Sequence, residues 1–198
     1  MKKIWCVLAL LVSTASAAQL HLPGLGWKLV SDNSADINAW HKNKTEAKHV
    51  LEYADKLMVD SLAIAQIQRN GGGPAVVAHS KEINSTSDEL KKIGPNPGPL
   101  SHCGAAGSYL ILFWSELLSG RNQAGIARAL ATYKDNHEAC LDQIESPPEL
   151  EYEILGPNRD DAVLSNGCTT IVPQDGDKTV TWFCKARVLR AAGFIKQS

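Results

Sequence analysis

The sequence shows no excess of positive charge. Its 20 Lys and Arg residues face 21 Asp and Glu, and setting aside Lys2 and Lys3 leaves 18 basic residues. Neutralising a phosphate backbone needs a basic surface, so this balance argues against a nucleic-acid partner. There is no Cys-x-x-Cys spacing, which removes a zinc ribbon and a thioredoxin-like motif. There is no Gly-x-Ser-x-Gly elbow, and the glycine run from Asn70 to Pro74 lacks the Lys-Ser/Thr that a phosphate loop requires. Beyond the first residues no apolar run is long enough to cross a bilayer, so stable membrane insertion is not expected. No cofactor and no metal site are expected, and no internal repeat is visible.

The first eighteen residues have the layout of a signal peptide. Lys2 and Lys3 precede the apolar stretch Ile4 to Val12, and Ala15-Ser16-Ala17 offers small residues for cleavage after Ala17 or Ala18. The expected compartment is the periplasm or the extracellular space. About 180 residues would remain, enough for a domain with a real core. Four cysteines follow, Cys103, Cys140, Cys168 and Cys184, and an even number in an exported chain implies disulfides.

The fold class expected is mainly α: a bundle of about four helices with a small C-terminal antiparallel β-element and two disulfides. Residues 19–43 read as an irregular lead-in, with a turn of helix near Ile37 and Trp40. Asn43 and Glu46 have capping-box spacing, and Ala47, Val50, Leu51, Ala54, Leu57, Met58, Leu62 and Ala65 follow at helical period. The next segment predicts a broken helix, because Asn84 to Ser87 is polar and Thr86 with Glu89 resembles a fresh cap. Pro95, Pro97 and Pro99 make a stiff connector. Tyr109 to Trp114 is apolar all round, as a central helix is, and Gly104 to Gly107 forms its narrow end. A fourth helix carries Ile126, Leu130, Tyr133, His137, Leu141 and Ile144 on one stripe. From Glu149 the period changes to that of a strand, and Val180, Trp182, Cys184, Ala186 and Val188 alternate in a second strand, with Asp175-Gly176 as a hairpin turn between them and the segment before. Residues 44–198 are expected to form one domain, helical over 44–145 and β over 149–190.

Turn symmetry selects the cysteine pairing. A helical hairpin pivoting near Arg121 brings Cys103 level with Cys140, and a β-hairpin pivoting at Gly176 brings Cys168 opposite Cys184 and Thr170 opposite Trp182.

Two function classes compete. The first is an exported binding protein acting by stoichiometric contact with another protein, such as an inhibitor or immunity factor against a toxin or enzyme, or else a component of a surface or secretion assembly. Its candidate surface is the acidic band Glu149, Glu151, Glu153, Asp160 and Asp161, preceded by Glu145, which would suit a basic partner. The second is a small cysteine hydrolase with Cys103 as nucleophile at a helix start and His137 as base. A histidine on an apolar stripe is more often a core residue with one satisfied hydrogen bond, and parity makes Cys103 a cystine. Glu46 and His49 have one Glu-x-x-His spacing where a di-iron bundle needs two. Asn43-Lys44-Thr45 and Asn84-Ser85-Thr86 match the glycosylation acceptor pattern, which matters only in a eukaryotic host.

Overall fold

The computed structural model describes residues 20, 22, 27–120, 122–157, 164, 167–171 and 179–195. The signal-peptide reading, the pivots at Arg121 and Gly176, and the acidic residues Asp160 and Asp161 lie outside the described residues. The chain is mostly helical with a small antiparallel sheet, as expected, and it divides into two compact units. Residues 32–150 make one. The described residues up to Ser31 and those from Glu151 onward make the other.

The first unit is a bundle of four helices: α1 (Ser34–Arg69), α2 (Gly73–Ile93), α3 (Ser101–Ser119) and α4 (Gln123–Glu145). Helix α1 starts ten residues before the expected boundary at residue 44. Asn43 and Glu46 therefore lie within the helix and cap nothing. The longer helix is held by Trp40, which is 3% exposed and donates from Nε1 to the Gln143 carbonyl at 2.6 Å. At its start, Asp32 Oδ1 accepts from the Ser34 amide at 2.9 Å. Helix α2 is unbroken through Asn84 to Ser87. Thr86 and Ser87 are buried on the packed side of α2, and their small side chains let the α2 backbone approach α3 at Gly107. Tertiary packing outweighs their poor helix propensity. Gly71, at φ 88°, supplies the left-handed turn between α1 and α2. The core is continuous from Trp40, Leu51 and Leu57 through Ile83 and Leu90 to Leu110, Phe113 and Tyr133.

The second unit is a four-stranded sheet in the order β1 (Lys28–Asp32), β2 (Glu151–Pro157), β4 (Thr179–Lys185), β3 (Cys168–Ile171), followed by a short helix α5 (Ala186–Ala191). Strand β1 lies in the expected lead-in: its sequence carries no apolar alternation, and every one of its residues is exposed. Strand β4 stops at Lys185, so Val188 is helical rather than extended. Leu189, buried in α5, replaces it in the core. Beneath the sheet, Trp27 packs on Trp182 and edge-on to Phe194, with ring centroids at 6.2 and 5.5 Å.

Both predicted cystines are present. Cys103 joins Cys140 between α3 and α4, and Cys168 joins Cys184 between β3 and β4. Cys168 and Cys184 are also direct partners in the ladder, as are Thr170 and Trp182.

Candidate functional site

Alternation sorts strands β2, β4 and β3 into two faces. Tyr152, Ile154, Val180, Trp182 and Cys184 point inward and are buried. The other face carries Glu151, Glu153 and Leu155 from β2, Thr181, Phe183 and Lys185 from β4, and Thr169 and Ile171 from β3. Strand β1 joins this face through Ser31, whose hydroxyl donates to Glu153 Oε2 at 2.6 Å; Leu29, two residues earlier, shares its side of the strand. Three large apolar side chains stand exposed there: Leu29 at 38%, Phe183 at 37% and Ile171 at 57%. Phe183 and Ile171 are diagonal neighbours across the ladder, close enough to form one patch.

The acidic residues divide over this geometry. Glu151 and Glu153 lie on the outer face, Glu145 ends α4, and Glu149 precedes β2, where its carbonyl accepts from Asn33 Nδ2 at 3.0 Å. Glu151 sits opposite Lys185 and Glu153 opposite Phe183. The band is thus an apolar patch with acidic and basic residues at its border rather than an uninterrupted acidic surface.

The hydrolase pair is not assembled. Cys103 and Cys140 are both 0% exposed and bonded to each other, so Cys103 presents no thiolate. His137 turns to α1 instead, with Nε2 2.8 Å from Asp55 Oδ2. Tyr133, one turn earlier, donates its hydroxyl to Asp55 Oδ1 at 2.9 Å. Burial, reinforced by the Asp55 charge, pushes the Tyr133 hydroxyl far above its ordinary pKa, so it stays a donor. Asp55 was missed in the sequence because it sits on the polar edge of α1, and nothing local links it to residues 78 and 82 positions away.

A second oriented histidine is His102. Asn136 donates from Nδ2 to the Thr132 carbonyl at 2.8 Å, which turns its Oδ1 to His102 Nδ1 at 3.1 Å. His49 lies 3.9 Å from Glu52, and no cluster of three metal-ligating side chains occurs among the described residues. Both glycosylation triplets lie inside helices, α1 and α2. Among the described residues no helix is long and apolar enough to cross a membrane.

Compared with protein-family models, curated proteins and solved structures, the chain matches none.

Proposed function

We propose that this chain is an exported binding protein that acts by stoichiometric contact with another protein, in the manner of an inhibitor or immunity factor. The contact surface is the outer face of the sheet. The observation that carries this reading is the patch made by Phe183 and Ile171 beside Glu151 and Glu153. Specific interfaces place aromatic and aliphatic anchors at the centre and charged groups at the rim. Apolar side chains grouped on one exposed face are what such a partner would cover. Glu153 is held by Ser31, so less side-chain freedom is lost when a partner docks on it. The acidic side chains suit a partner with a basic rim. Two disulfides support the exported reading, since they persist in oxidising compartments.

Affinity capture from the envelope of the producing cell tests this, with the native chain and a Phe183→Asp variant as parallel baits. The native chain should retain a protein at fixed stoichiometry that the variant loses, with unchanged circular dichroism. Identical capture by the two baits would remove the sheet face from the account.

A further inference from the structure

The bundle carries a second feature that protein contact through the sheet does not use. Helices α1 and α4 run antiparallel, as the pairings Trp40 with Gln143 and Asp55 with Tyr133 and His137 require. Between them lies a cavity of about 400 Å³ whose apolar walls are Met58, Val59 and Leu130. That volume falls in the range of small-ligand sites.

Its polar end is one oriented carboxylate. Each oxygen of Asp55 takes one donor from α4, the Tyr133 hydroxyl at Oδ1 and the His137 ring at Oδ2. Asp55 nevertheless remains 47% exposed, and each carboxylate oxygen has a second acceptor position. The two donors fix its direction. Lys134 and Glu138, four residues apart on α4, also line the cavity, one cation and one further carboxylate. Asp55 is the carboxylate that two donors from α4 hold in one direction beside the apolar wall of Met58, Val59 and Leu130. Val59 alongside it is 71% exposed, and Leu62, one turn on, is 60% exposed.

We propose that this cavity binds a small organic cation, an ammonium or guanidinium group carried on an aliphatic body. The cation meets Asp55, and the body lies on Met58, Val59 and Leu130.

The test is a methyl-NMR titration of the full chain with n-hexylammonium, with hexanol and hexanoate as neutral and anionic controls of the same length. Hexylammonium should shift the Met58, Val59 and Leu130 methyls saturably, with a Kd on the order of millimolar. Hexanol should bind about tenfold more weakly, since it lacks a charge-assisted hydrogen bond. Hexanoate should not bind. Asp55→Asn, which keeps an acceptor for Tyr133, should weaken hexylammonium about tenfold and leave hexanol unchanged. Val59→Lys, at an exposed position, should abolish the binding by placing an ammonium at the cavity. Equal response to all three probes, no saturable shift, or unchanged binding in either folded variant overturns the proposal. Tighter binding of Nα-acetyl-lysine amide than of hexylammonium would give the site to a protein side chain and overturn the assignment to a free cation.

Discussion

Gly107 of α3 lies against Ser87 of α2 so closely that a Cβ at position 107 would stand 2.9 Å from the Ser87 carbonyl oxygen. The same atom would be 3.0 Å from Leu90 Cβ. Neither neighbour is the end of a flexible side chain. Replacing an interior helical glycine by alanine ordinarily stabilises by about 1 kcal/mol. Here Gly107→Ala should instead destabilise by about 1 to 3 kcal/mol through overpacking. Ser115→Ala, at an exposed position of the same helix, is the control and should be neutral or mildly stabilising. Urea midpoints of the two variants give the comparison, and a Gly107→Ala midpoint at or above that of the native chain would mean the helices are spaced more widely than described.

His79 is a buried histidine of the bundle. It is 4% exposed, its Nε2 is 2.9 Å from Ser61 Oγ, and its ring stands edge-on to Trp114 at 4.8 Å. Burial lowers its pKa below the ordinary value, against the opposing pull of Glu82 and Asp60. The folded state therefore binds this proton less readily than the unfolded chain. Its neutral form contributes fully above about pH 6.5, and stability falls as pH drops from there toward the lower folded value. Between about pH 7 and pH 5 the native chain should lose more stability than a His79→Gln variant. Parallel pH slopes for the two proteins would show that His79 is not excluded from water.

The disulfides close loops of 37 and 16 residues. On the chain-entropy model they stabilise by about 4 and about 3 kcal/mol. Replacing Cys103 and Cys140 together by alanine should lower the denaturation midpoint more than replacing Cys168 and Cys184. Protein beginning at Gln19 should show no free thiol under native or denaturing conditions, and peptide mapping should recover the two named pairs. A native thiol at Cys103 would reopen the cysteine-hydrolase reading.

Much of this fold was legible because its signals are local. The stripe on α4 and the alternation in β2 and β4 each report one buried face. The cystine pairing followed from positions counted about two turns, and the ladder register of Cys168 with Cys184 agrees with that count. What escaped depends on distant partners. Strand β1 has no apolar pattern, and it is a strand because β2 lies beside it. The first turns of α1 look irregular until Trp40 is seen to bond α4. Of the candidate site, the acidic alternation placed Glu151 and Glu153 on one face correctly. Phe183 falls outside the apolar alternation of its strand, and its place beside Ile171 is a product of sheet order. His137, on the apolar stripe of α4, is partly buried and makes a hydrogen bond to Asp55.

Association kinetics test the central claim most directly. The captured partner would be mixed with the native chain and with a Glu151→Lys/Glu153→Lys variant across a salt series. Both residues lie at the border of the apolar patch on the outer sheet face, so charge reversal should slow association at low salt by about tenfold or more and flatten its salt dependence. The reversal removes the Ser31 hydrogen bond to Glu153 and sets like charges across the ladder at Lys185, so circular dichroism must first show the variant folded for the comparison to count. Association as fast and as salt-sensitive as that of the native chain would contradict contact through this face.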